Sequence, residues 1–327
     1  MFFKDIVGHE DIIRHMKSSI ERGQVSHAYI IHGEPDSGKK MLARTFAQTL
    51  LCEEGGTEPC GRCHSCVQAA SGSHPDIIML AHEKPNAYSV DEIRSELVET
   101  MDVKPYKSKY KIYIVPDADL ISQQSQNTIL KTIEEPPEYG IVILLCSNMD
   151  KLLPTVKSRC VVMDTRPVRE LDMLEYLQKN MGLTEDKAHF CIDFAQGNMG
   201  KAIKLATNDE YAQVVETVVS VMKKIHDLDV EDLTQSMENI EKFKLSINDC
   251  LDLMAMWYRD ILMLKVTGKI DKLLFRDEYA ILKKHASLVS FGAVEEKIEA
   301  ISRARRRLEA NANFDVTMEL LLLTLKE

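Results

Sequence analysis

An apolar run, His27-Ala28-Tyr29-Ile30-Ile31-His32, leads into Gly33-Glu34-Pro35-Asp36-Ser37-Gly38-Lys39-Lys40, and apolar side chains at helical spacing continue from Lys39 to Leu51. Strand, glycine-rich loop and helix in that order bring loop amides and a helix N-terminus together on an anion. The loop fits the phosphate-binding pattern G-x-x-x-x-G-K-[ST] up to its last place, where Lys40 stands instead of the hydroxyl that ligates Mg²⁺. Gly33, Gly38 and Lys39 are the candidate phosphate-binding residues, and the magnesium half of the site is in question.

Short apolar runs recur at Ile77 to Leu80, Ile112 to Val115, Ile141 to Leu145 and Val161 to Met163, with helical patterns around Val90 to Met101 and Ser122 to Glu135 between them. Runs that are continuous rather than alternating predict strands buried on both faces, hence a mainly parallel sheet covered by helices. Ser122 reads as the N-cap of the second helix, and Pro136-Pro137 as its stop. This α/β region is expected to occupy 1–166. Beyond Pro167 the strand-like runs cease, and helices follow, broken at Gly182, Gly197-Asn198-Met199-Gly200, Gly268 and Gly292. Residues 167–208 predict a three-helix lid on the first domain, and 209–327 an all-α unit in which Met254, Met256, Trp257 and Met263 belong to the core.

The formal charge of −10 excludes a globally basic nucleic-acid coat, so any DNA contact has to be local or shared with partners. Arg303, Arg305, Arg306 and Arg307 form one basic cluster, but they share a helix with Glu295, Glu296 and Glu299 and read as a solvated or interface face. Met1 to His9 carry no export signal, and no stretch approaches ~18 apolar residues, so the expected location is cytoplasmic.

Eight cysteines in a chain of this kind point to a reducing compartment and a metal rather than a disulfide framework. Cys52, Cys60, Cys63 and Cys66 form C-x7-C-x2-C-x2-C, whose two-residue gaps let thiolates converge on one tetrahedral Zn²⁺, with Gly55-Gly56 and Gly61 supplying the turns. Four thiolates leave no open position, so the zinc is expected to be structural. His64, inside the cluster, is the alternative ligand.

Ile6-Val7-Gly8-His9, His27-Ala28-Tyr29 before the loop, the cysteine insertion after its helix, Leu130-Lys131-Thr132-Ile133-Glu134-Glu135-Pro136-Pro137 and Ser158-Arg159-Cys160 together resemble the clamp-loader subunits of bacterial DNA polymerase III over essentially the whole chain. The resemblance implies an AAA+ domain with a zinc module at about 52–66, a helical lid, and a collar domain that joins subunits in a ring with gamma/tau and delta partners. It also implies a sliding clamp and primer-template DNA met through that complex.

Within this family the delta-prime branch and the ATP-hydrolysing gamma/tau branch differ in site chemistry, and three departures side with delta-prime. Lys40 cannot give Mg²⁺ a neutral oxygen and repels it, so Mg²⁺ binding is expected to be weak. Pro116-Asp117-Ala118 keeps only one of the two carboxylates that serve metal and water, and Asp119, two residues on, is expected to point away. Gly200 stands where motor subunits resemble G-x-x-R, and the adjacent Lys201 does not replace an arginine fork. Ser147, near the end of its strand, matches a polar sensor. Arg159 is intact, and the resemblance implies that it acts in trans as an arginine finger on a neighbour's ATP. The expected function is thus a stator-like delta-prime subunit that helps load the sliding clamp onto primed DNA, with little or no ATPase of its own. A gamma/tau-like motor is the alternative, and a zinc-stabilised DNA-binding module a third reading. ATP binding without turnover stays open, because Gly33, Gly38 and Lys39 persist.

Overall fold

The computed structural model describes residues 2–81, 88–270 and 273–327. The chain divides into two compact units, Met1–Ile203 and Lys204–Glu327, so the helices Glu170–Met181 and Glu185–Ala195 expected in the lid belong to the first unit.

The apolar runs of the first unit become β1 (Ala28–His32), β2 (Ile77–Met79), β3 (Lys111–Val115), β4 (Gly140–Cys146) and β5 (Val161–Asp164). They form one parallel sheet in the order β2-β3-β4-β1-β5, with Tyr29 opposite both Ile143 and Val161. Strand alternation divides the core in two. Tyr29, Ile31, Ile112, Ile114 and Ile143 face Met16, Leu42 and Phe46 from α1 (Glu10–Glu21) and α2 (Lys39–Leu50). Ile30, Tyr113, Val115, Val142 and Leu144 face the residues of 90–101 and of the helix Gln123–Glu134. Each such side chain contributes roughly 1.5–3 kcal/mol by leaving water. Because β1 lies between β4 and β5, the loop after it opens at the point where strand order reverses, the usual place for a ligand crevice in an open α/β sheet.

The helix ends follow local chemistry. Ser122 Oγ accepts the Ser125 amide and starts Gln123–Glu134, which ends just before Pro136-Pro137. Ser89 and Glu92 make a reciprocal capping box at the start of 90–101. That stretch is not uniformly α, since Ile93–Val98 forms a π turn. Buried Ile93, Leu97 and Met101 recur every four residues, and the wider turn keeps them on one side.

In the second unit, left-handed Gly268 closes the helix Ile247–Thr267. The break expected at Gly292 is corrected: Gly292 lies inside the helix Phe291–Glu309, whose start is set two residues earlier by Ser290 Oγ accepting the Ala293 amide. Met254 and Trp257 are fully buried, and Met256 and Met263 partly so. Arg305 pairs with Asp252 at 2.5 Å, whereas Arg303, Arg306 and Arg307 are exposed. No described helix is long and apolar enough to cross a membrane.

One buried polar group in this unit gives a pH dependence. His285 accepts Trp257 Nε1–H at its Nδ1 (3.3 Å) and lies edge-on to His226. Burial, then the neighbouring His226 and Lys284, push it down to about 4 against the opposing effect of Asp227. A histidine lowered on folding contributes its stability above the unfolded value of about 6.5 and loses it as pH falls towards about 4. Urea unfolding at about pH 4.5 is therefore expected to show the wild type weakened by up to about 3 kcal/mol relative to neutral pH. His285→Gln should flatten that slope, and an unchanged slope would remove the assignment to His285.

Candidate functional site

The loop closes on itself around Lys39. Gly38, at φ +88°, caps the N-terminus of α2 and places Lys39 at the first helical position, where its side chain is turned in and buried. Its ammonium donates to the carbonyls of Gly33 (2.6 Å) and Glu34 (2.5 Å) and to Ser147 Oγ (3.2 Å). Those contacts use the three donors a lysine has. Burial lowers the Lys39 pKa, and Asp117 and Asp119 oppose that by favouring its charge. Gly33, Lys39 and Ser147 thus meet around one ammonium, with Gly38 setting the entry. Lys40, at the magnesium place, is exposed.

Two carboxylates come from the chain after β3. Asp117 takes a left-handed backbone (φ +46°), and Asp119 Oδ1 accepts the Ser147 amide at 3.0 Å. The expectation that Asp119 points away is corrected. The tight 3-10 turn Ala118–Leu120 bends the chain back towards β4, and the carboxylate satisfies the first amide beyond that strand.

The lid segment seals the loop tip. Asn198 Nδ2 donates to the Pro35 carbonyl (2.8 Å) and to Glu34 Oε2 (3.3 Å), while its Oδ1 accepts the Lys201 amide. Gly200 lies so close that a Cβ there would stand 2.2 Å from the Asp36 carbonyl oxygen. The missing arginine of G-x-x-R is therefore also a steric matter, since no side chain fits at position 200 while the lid holds this position. A Cβ on Gly33 would likewise strike Thr165 Oγ1 at 1.7 Å. His9, from the opening motif, donates Nε2–H to the Ser37 carbonyl at 2.8 Å, and burial pushes its pKa down against the opposing effects of that hydrogen bond and Glu10. Beside these residues is a cavity of about 440 Å³ that Val7, Met41, Tyr176 and Ile203 help to line. Asn198 carries no familiar motif; only its place between two lid glycines hinted at a role.

Arg159 is apart from this cluster and does not line the cavity. It follows the helix Pro154–Lys157 before β5. Its Nε pairs with Glu134 Oε1 at 2.8 Å, and its Nη1 donates to the Thr155 carbonyl at 3.0 Å.

The four cysteines converge. Their sulfurs all lie within 4.8 Å of one another, Cys60 and Cys66 at 3.9 Å. A tetrahedron with metal–sulfur bonds of about 2.3 Å requires sulfur separations of about 3.8 Å, so the four thiols fit one metal ion. Amides donate to the sulfurs within the knuckle: Cys60 N to Cys52 Sγ, Cys63 N to Cys60 Sγ and Cys66 N to Cys63 Sγ. Burial pushes the Cys66 thiol up to about 12. At Cys63 burial works upward too, but the Cys66 and Glu53 amides and neighbouring thiols outweigh it and bring it to about 7. His64 opens α3 (His64–Ser71) and is not one of the converging groups. The knuckle is tied to its surroundings: Gln48 of α2 donates to the Cys66 carbonyl (3.2 Å), and Glu58 accepts from Lys17 (2.6 Å) and the Phe3 amide (2.9 Å).

Comparison with known proteins gives a consistent set. The profile of the family described as "DNA polymerase III, delta subunit" matches residues 8–169. The delta' subunit of DNA polymerase III from Bacillus subtilis is 28% identical over 320 residues, covering 97% of this chain and 95% of that one. The gamma subunit from Buchnera aphidicola is 26% identical over 344 residues, covering 98% and 94%. Among solved structures, a gamma-subunit-related protein of Thermotoga maritima matches in fold with a TM-score of 0.50 at 17% identity, covering 97% of this chain and 99% of that one.

Proposed function

The chain belongs to the family of DNA polymerase III delta-prime and gamma/tau subunits, and on that premise we propose that it is a stator-like clamp-loader subunit of the delta-prime type. In this reading it sits in a ring with gamma/tau and delta subunits and helps place the sliding clamp on primed DNA. Its own loop does not turn over ATP, and Arg159 serves the ATP site of a neighbour.

The observation that carries this reading is the ammonium of Lys39, whose donors go to Gly33, Glu34 and Ser147 of the same chain. A phosphate would have to displace two charge-assisted hydrogen bonds to carbonyls, and the lid would have to release the Pro35 carbonyl as well. Lys40 adds repulsion where Mg²⁺ would stand. The residues at the loop therefore do not fit a magnesium-bound triphosphate. Arg159 keeps the planar, always charged fork that phosphoryl transfer uses. Cys52, Cys60, Cys63 and Cys66 fit Zn²⁺, which would hold the module together without taking part in chemistry.

The motor reading has one observation in its favour, the two carboxylates Asp117 and Asp119 that act on Lys39. The two readings separate in solution. The purified chain is expected to hydrolyse ATP no faster than buffer with Mg²⁺ and primed DNA present, and calorimetric titration with ATP and Mg²⁺ should show no binding in the micromolar range. DNA-stimulated turnover would transfer the chain to the motor class. Tight DNA binding by the isolated chain would favour the DNA-binding module instead.

A further inference from the structure

We propose that Glu134 is the positioning residue for Arg159: its carboxylate steadies the guanidinium at Nε so that Nη2 is offered to a neighbouring subunit. The inference rests on the finger reading of Arg159.

Arg159 is held at its root and at two of the three nitrogens of its tip. Its backbone amide donates to the Val156 carbonyl at 3.2 Å, which fixes where the side chain leaves the chain. Nε forms an ion pair with Glu134 at 2.8 Å, and Nη1 donates to the Thr155 carbonyl at 3.0 Å, which also accepts Ser158 Oγ–H at 3.1 Å at the end of the four-residue helix Pro154–Lys157. Nη2 makes no hydrogen bond among the described residues. A guanidinium presents five donors in a rigid planar fork, so holding Nε and Nη1 fixes the direction of Nη2.

Both side chains of the pair are about two-fifths exposed, 39% for Arg159 and 43% for Glu134. An ion pair that open to water does little for stability. It would also lower the electrostatic value of a finger, because it lends the cation a counter-charge. Its geometric effect is different. Glu134 is the last residue of Gln123–Glu134, a helix whose Ile129 and Ile133 are buried against the sheet, so the brace is anchored in the core. A long side chain that would otherwise sample many rotamers is ordered before it meets a neighbour, which removes an entropy cost from the reaction step. The pairing joins the Leu130 to Pro137 segment to Ser158-Arg159-Cys160, two stretches that the sequence shows only as separate motifs.

The test uses the reconstituted loader, with the ATP sites that Arg159 does not serve silenced. Glu134→Gln keeps the shape of the side chain and removes its charge. It is expected to lower kcat at the served site about tenfold, equivalent to about 1.4 kcal/mol, with KM for ATP changed less than about twofold. In an Arg159→Ala background the same change should have no further effect, since there is nothing left to position. Melting of the isolated chain should shift by no more than about 2 °C, which separates positioning from a structural role. An unchanged or raised kcat, or an equal drop in the Arg159→Ala background, overturns the proposal. If Arg159→Ala alone leaves turnover intact, the finger reading fails, and this inference fails with it.

Discussion

Arg159→Ala, assembled with gamma/tau and delta partners, is expected to lower ATP turnover at the site it serves by about 10³-fold or more while the complex still forms. The size follows from the chemistry. A finger meets charge that develops on the transferring phosphoryl group, in a site where water no longer screens it, so its removal acts on the transition state and not on the fold. In the free subunit Arg159 contributes little, because its pair with Glu134 is solvent-exposed and worth at most about 1 kcal/mol. The isolated variant should therefore melt where the wild type does. Arg159→Lys is expected to fail almost as badly, since an ammonium lacks the planar fork held by Glu134 and Thr155. The measurement is single-turnover hydrolysis in a loader whose remaining ATP sites carry inactivating substitutions. A rate within about threefold of wild type would end the trans role.

The second large effect concerns the metal. The chain is expected to carry one zinc ion, and Cys66→Ser or Cys60→Ser to lose it. Apparent binding energies of structural zinc sites run to about 10–16 kcal/mol in small domains, so even a fraction of that is large beside a typical folding stability of about 5–15 kcal/mol. The loss should not stay local. Cys66 is fully buried and its carbonyl is held by Gln48 of the loop helix, while Glu58 of the same module holds Lys17 and the Phe3 amide. Elemental analysis and chelator-dependent melting together check this. A chain that keeps full zinc after either replacement, or that melts identically with and without chelator, would rule the cluster out as the structural centre.

Legibility of the sequence tracked the range of the interactions. The apolar runs marked all five strands to within a residue or two, because burial on both faces leaves a continuous signal in a few adjacent positions. Ser122 announced its helix through a side chain that reaches an amide three residues away. Gly292 misled because glycine marks a helix boundary only where the backbone turns left-handed, and Ser290 had already set that boundary. Asp119 misled because counting from Asp117 assumes a regular chain, and a 3-10 turn intervenes.

The sequence by itself determined a parallel sheet with a glycine-rich loop at its switch point, a four-cysteine knuckle and a Ser-Arg-Cys arginine, since each is written in neighbouring residues or in fixed spacings. Only the tertiary structure decided how those parts are used. It spent the donors of Lys39 on Gly33, Glu34 and Ser147, set Asn198 across 163 residues onto the Pro35 carbonyl, and joined Glu134 to Arg159. Such pairings depend on where separate elements meet once the core has packed. Hydrophobic periodicity fixes which face of an element turns inward, and it carries no record of which polar group will stand opposite.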